Sequence, residues 1–282
     1  MHLQQGIVEN VNRFLPKIAL LAGGGALPAQ LIQAWQAAHR PYHIIAFKDQ
    51  TPPTLLENAA YSWSRLGAVG HTLKLLKTHD VREVVLAGYM RKPKIWEVFP
   101  DRTALKMLWK LGFSLKGDNK VLKTIMAELE QHGLTVRGAH ELLADVLLPQ
   151  GSLTAHQPNP QALLDITLGL AAAKQHGAQD LGQAVLVENG QVLGYEDAAG
   201  TDALIARFAN HTRQSRTAIL VKACKPQQDT RADLPTIGKR TVEQAIAAGL
   251  QGIAGEAGKT LLLERDEAVR LADGVGVFVW GV

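Results

Sequence analysis

Lys17-Ile-Ala-Leu-Leu-Ala-Gly-Gly-Gly-Ala-Leu-Pro28 is the stretch whose reading decides the fold. The apolar run up to Ala22 reads as a short buried strand, Gly23, Gly24 and Gly25 as a tight turn, and Leu27 to His39 as a helix with Leu27, Leu31, Ile32 and Trp35 on one face. Outward from there, Tyr42 to Phe47 forms a second strand and periodicity at 70–78 a helix. Glu83-Val-Val-Leu-Ala-Gly88 then forms a third strand that runs into Tyr89-Met90-Arg91-Lys92. Such alternation predicts an α/β fold with a parallel sheet and helices on both faces. Ligands gather at the C-terminal ends of such strands, where the triple glycine and Arg91 both fall.

The chain has 282 residues, which suits two domains. Residues 1–16 read as a polar lead-in and 17–148 as the first domain. The segment 149–160 (Pro149-Gln-Gly-Ser152 through Gln157-Pro-Asn-Pro160) is dense in Pro, Gly and Asn and reads as a linker, and 161–282 as a second α/β domain. In that domain a helix at 161–176 precedes two apolar runs around Asn189-Gly190, a strong hairpin signal. Thr217 to Ala223 is a further strand. Thr241 opens a helix with Gln244 at capping-box spacing, and strands at 260–263 and 276–280 bracket a last helix.

With 46% hydrophobic and 20% charged residues the chain is a globular protein, and wholesale disorder is excluded. No run approaches the roughly 18 apolar residues of a spanning helix, and the start lacks the layout of a secretory signal, so export and membrane spanning are not expected. The single cysteine, Cys224, closes no intrachain disulfide and suits a reducing cytoplasm. Residues 89–123 hold nine Lys/Arg against three Asp/Glu, a net +6 that should face an anionic partner.

Four features could carry chemistry. Three glycines between strand and helix let backbone N–H groups approach a phosphate, or make a purely structural turn. Pro28 and Lys48 stand where a dinucleotide fingerprint wants a glycine and an acid, which disfavours NAD. In the basic segment after Arg91, Arg102, Lys106 and Lys110 recur beside Leu105, Leu108 and Trp109, with Trp96 and Phe113 nearby. That is the pattern of an amphipathic helix at an anionic lipid surface or of an ordinary surface helix; it matches no nucleic-acid reader. Lys222, Lys225, Asp229, Arg231 and Asp233 crowd one loop, where two carboxylates could hold a divalent cation or activate water and the cations neutralise phosphate. A solvated charged loop is the plainer alternative. Thr201-Asp202 and Asp118-Asn119 read as helix N-caps or ligand contacts, while the 10 histidines show neither HExxH nor paired spacing.

The order LLAGGGALP, KGDNKVL, AQDLGQAVLV, GTDALI and VKACKPQQDTRADLPTIGKRTVE resembles the cytoplasmic UDP-2,3-diacylglucosamine diphosphatases of lipid A assembly that are unrelated to calcineurin-like phosphoesterases. The resemblance runs from about residue 17 to the C-terminus. It implies a Rossmann-like N-terminal domain and a distinct C-terminal α/β domain that clasp the substrate, with Mg²⁺-assisted hydrolysis to UMP and 2,3-diacylglucosamine 1-phosphate. On this resemblance the catalytic residues are Asp229, Asp233 and Lys225, the first two also holding Mg²⁺. Substrate contacts fall to Gly23, Gly24, Gly25, Arg91, Asp118, Gln183, Thr201, Asp202, Lys222 and Arg231. Asn119 departs from a GDD-like pattern of the family. The implied setting is cytoplasmic, peripheral to the inner membrane, without nucleic acid, and it leaves room for a homodimer. A non-catalytic nucleotide-sugar or lipid carrier and a nucleotide-sugar oxidoreductase or transferase are the rival readings.

Overall fold

The computed structural model describes residues 15–91, 98–110 and 118–282; the side chains of Lys110 and Asp118 also fall outside what it describes. Contacts divide the chain into two units, Met1–Ala144 and Asp145–Val282.

The first unit is built on β1 (Ile18–Ala22), α1 (Ala26–Ala37), β2 (Tyr42–Phe47), β3 (Tyr61–Ser64), α2 (Val69–Thr78), β4 (Glu83–Ala87), α3 (Arg102–Lys110), α4 (Asp118–Gln131) and β5 (Thr135–Arg137). Its five strands pair in the order β3-β2-β1-β4-β5, all parallel. Alternation sorts β1: Ile18, Leu20 and Ala22 join Leu31, Ile32 and Trp35 of α1 in one core cluster, while Ala19 and Leu21, equally buried, face the other way. The order reverses between β1 and β4, the switch point at which such sheets take ligands.

At that point the two chain crossovers nearly touch. Gly23 N–H donates to Ala87 O (2.8 Å), and Gly24 and Tyr89 exchange a pair of backbone bonds (2.8 and 3.0 Å). A Cβ on Gly23 would lie 2.5 Å from Tyr89 O, and one on Gly88, which sits at φ +95°, 2.6 Å from Gly24 O. The Gly23 and Gly24 amides are thus committed to the strand edge, as a structural turn requires, which leaves the Gly25 amide for a phosphate. Close backbone approach is what glycine allows here.

Helix α3 buries Ala104 and Met107, leaving Leu105 and Trp109 exposed together with Arg102 and Lys106. Asp101 starts it: Oδ1 accepts from Ala104 N–H (2.9 Å), while Oδ2 accepts from Gly70 N–H (2.6 Å) and His71 N–H (3.2 Å) at the start of α2. One carboxylate caps two helices. Lys92, Pro93, Lys94, Trp96 and Phe113 lie outside the described residues.

A stacked histidine pair, of which His43 is buried, makes the first unit sensitive to acid. His43 Nε2 and His79 Nε2 both lie within hydrogen-bond distance of Ser62 Oγ (3.0 and 3.1 Å), and the two rings stack 3.7 Å apart. Burial first, and then the His79 and Lys17 charges, lower the His43 pKa from 6.5 to about 4. The unfolded chain therefore binds more protons than the folded one between these values, and stability falls as pH drops from about 6.5 to about 4. The thermal midpoint should fall across that window, and His43→Gln should flatten the fall. An unchanged slope would assign it to other groups.

The second unit comprises β6 (Gly151–Ser152), α5 (Pro160–Ala178), β7 (Ala184–Glu188), β8 (Gln191–Tyr195), α6 (Gly200–Ser215), β9 (Ile219–Lys222), β10 (Thr236–Ile237), α7 (Lys239–Ala247), β11 (Gly252–Gly255), β12 (Leu261–Leu262), α8 (Arg265–Val275) and β13 (Phe278–Gly281). Six strands form a mixed sheet, β6-β13-β11-β9-β7-β8, and β10 pairs with β12 separately. Strands β9, β11 and β13 are mutually parallel, and the hairpin β7-β8 is antiparallel. The segment 149–160 carries β6, which pairs with β13. Helix α5 covers one face, with Ile166 and Ala173 against Val185, Val187, Ile219 and Val221. Leu204 and Ile205 of α6, Val242 of α7 and Ala268 of α8 cover the other, against Leu186, Leu220 and Ile253.

Two caps differ from expectation. Helix α7 begins at Lys239, so Thr241 stands at its third position, where its Oγ1 accepts from Gly238 N–H (3.4 Å). Helix α6 begins at Gly200 without a side-chain cap, and Thr201 turns its hydroxyl elsewhere. The Asn189-Gly190 turn is held by the buried Asp165, whose Oδ2 and Oδ1 accept from the two amides (2.8 and 2.7 Å).

Candidate active site

Strand register aligns the polar residues of the second unit. Lys222 at the end of β9 pairs with Ala184 on one side and Gly255 on the other, and Gly255 pairs with Gly281. Lys222 therefore stands at the edge where the three parallel strands end, with Gln183 and Glu256 one residue further out on either side of Ala223, whose N–H donates to Gln183 O (2.9 Å). Glu196 joins this edge through its N–H bond to Ala184 O (2.9 Å). This is the edge at which α/β sheets place ligands.

Lys222 shares a face with Leu220, two residues earlier, and is buried, with Nζ donating to Thr236 O (2.8 Å). Burial lowers its pKa, against the pull of Glu196, Asp233 and Asp202. Glu196 is buried too: Oε1 accepts from Thr201 Oγ1 (2.6 Å) and Oε2 from Gln183 N–H (2.7 Å). The Oε1 atom of Gln183 is buried with no hydrogen-bond partner among the described residues, an acceptor left for a ligand or water.

The loop between β9 and β10 carries the acidic pair. Asp229 Oδ1 accepts from Arg231 N–H (3.0 Å) and Nε (3.1 Å), and its Oδ2 from Arg231 Nη2 (2.9 Å), so the guanidinium fixes the carboxylate. Gln228 Nε2 donates to Asp233 Oδ2. Lys225, expected to neutralise developing charge, pairs instead with Asp180 (2.7 Å), which lies just beyond α5. Asp202 pairs with Arg240 (2.6 Å) at the surface. Cys224 is buried, and burial raises its thiol pKa, as befits an inert side chain. In the first unit, Arg91 donates its backbone N–H to Gln50 Oε1 (2.7 Å), and Asp118 is the first residue of α4.

The two carboxylates expected to share Mg²⁺ thus have different partners. Among the described residues no group of three or more His, Cys, Asp or Glu side chains could hold a metal ion. The donor set does not fit a protein-only cage. One or two carboxylates suffice only for a magnesium ion that keeps most of its waters.

The family model described as LpxI N-terminal domain matches residues 17–146, and that described as LpxI C-terminal domain matches 149–280. The chain is 37% identical over 273 residues, 94% of its length and 97% of the relative's, to a Caulobacter vibrioides protein named UDP-2,3-diacylglucosamine pyrophosphatase LpxI. The chain belongs to the LpxI family.

Within this LpxI chain, sequence reasoning missed Glu196 and Glu256. Glu256 Oε1 accepts from Lys259 (3.0 Å) and pairs with Lys174 (3.1 Å), while Oε2 is buried with no partner among the described residues. Each is an acid at the first position after a strand, a signal that needs the strand end to be placed correctly. Among the described residues no helix is long and apolar enough to cross a membrane.

Proposed function

We propose that the chain hydrolyses the diphosphate bond of UDP-2,3-diacylglucosamine, water cleaving one P–O bond to give UMP and 2,3-diacylglucosamine 1-phosphate. The observation that carries this is the match to the relative of that name along nearly the whole of both chains. The geometry supports it, because that edge of the second sheet gathers acids and the buried Lys222, as phosphoryl chemistry requires. Asp229, fixed by Arg231, orients the attacking water, and Asp233 stands four residues along the same loop. Lys222, its Nζ held by Thr236 O, offsets developing negative charge, and Gln183 Oε1 accepts from the ligand. Magnesium bound with the diphosphate, held by Asp229 and Asp233, would neutralise phosphate charge. The first unit, read as Rossmann-like from its strand order, presents Gly25 and the start of α1 to a phosphate.

Pure protein incubated with UDP-2,3-diacylglucosamine and Mg²⁺ should release UMP. No release at any divalent-ion level would favour the carrier reading, in which the aspartates only order the loop.

We also place the chain at the cytoplasmic face of the inner membrane, because a diacylated substrate resides in a bilayer. Phe99, Leu105 and Trp109 are 64%, 46% and 76% exposed, beside the exposed Arg102 and Lys106. Exposed aromatic and aliphatic side chains among cations suit an anionic lipid interface.

A further inference from the structure

At the C-terminal ends of β2 and β3 lies a cleft of about 580 Å³, a volume that suits a nucleotide-sized ligand, lined by Lys48, Trp63, Arg65, Ala68, His71 and Asp101. The strand pairing builds it: Phe47 pairs with Ser64, and Lys48 N–H donates to Ser64 O (3.1 Å). The inner wall makes no demand on a ligand, because Ser64 Oγ is hydrogen-bonded to Thr72 Oγ1 (2.9 Å) and the Asp101 oxygens accept from helix amides. Three basic side chains remain. Lys48, Arg65 and His71 are exposed, and no hydrogen bond or ion pair engages their side chains among the described residues. Trp63 stands beside them, 45% exposed, with Tyr61 edge-on at 5.9 Å.

Cations without partners select a phosphate, and an exposed indole selects a planar ring. We propose that this cleft binds the nucleoside phosphate part of a ligand, its base on Trp63 and its phosphate among Lys48, Arg65 and His71. The loop that follows Lys48 is tied down at the switch point, since Thr51 Oγ1 donates to Ala22 O (2.6 Å). Taking the nucleoside to be uridine rests on the reaction proposed above; the chemistry of the cleft does not.

Calorimetry on the full chain with UMP and with inorganic phosphate tests this. Stacking of one base corresponds to at least about a fivefold change in affinity, so Trp63→Ala should weaken UMP by that factor or more and leave phosphate unchanged. Lys48→Gln with Arg65→Gln should weaken both, with an unchanged thermal midpoint showing that the fold survives. Equal UMP affinity in all three proteins, or phosphate binding as tight as UMP, overturns the proposal. Hydrolysis with an unaltered KM in Trp63→Ala would overturn the cleft assignment and leave the reaction standing. Cleft-dependent UMP binding in a chain that releases no UMP from the diacylated substrate would do the reverse.

Discussion

Asp229→Ala is expected to lower kcat by about 10²- to 10⁴-fold, the range for losing a positioned acid–base group, while leaving substrate binding and the thermal midpoint near their original values. Arg231 holds both carboxylate oxygens, so the group has one orientation rather than many, and its removal touches the transition state more than the ground-state contacts of sugar, acyl chains and uridine. Asp233→Ala should also be impaired, but less, since Gln228 ties its carboxylate and its charge acts on the buried Lys222. A folded Asp229→Ala protein that turns over at near-normal rate removes Asp229 from the chemistry and returns the loop to a solvated charge cluster.

The second large effect belongs to the membrane. Each Lys or Arg near an anionic leaflet contributes about 1 kcal/mol, so replacing Arg102, Lys106 and Lys110 by Gln should weaken vesicle binding by roughly two orders of magnitude at low salt and less where ions screen. Activity on vesicle-borne substrate should drop with it, and activity on detergent-dispersed substrate should hold. Unchanged vesicle binding makes α3 an ordinary surface helix. A collapse of detergent activity would instead assign those charges to the substrate site.

The parts of the fold that sequence reading reached are those with local signals. Strands β1, β2 and β4, helix α1 and the Asn189-Gly190 hairpin each announce themselves by apolar runs, periodicity or turn residues within a few positions. Strand β11 does not, because Gly252-Ile-Ala-Gly255 carries small residues for a reason lying elsewhere in the chain: a Cβ on Gly252 would sit 2.3 Å from the Phe278 ring. The candidate site divides in the same way. The charged loop at 222–233 is dense enough to stand out, whereas Glu196 and Glu256 reach that edge only through strand register. The pairing of Lys225 with Asp180 was likewise out of reach, since 45 residues separate the partners.

Asp101 carries a consequence for how the first unit moves. Its carboxylate holds the opening turns of α2 and α3 at once, so neither helix can fray at its start without releasing the other. The cleft wall and the helix proposed to meet lipid form a single mechanical piece. If α3 docks on lipid as proposed, a load on its first turn reaches His71 through Asp101, which accepts from the His71 amide.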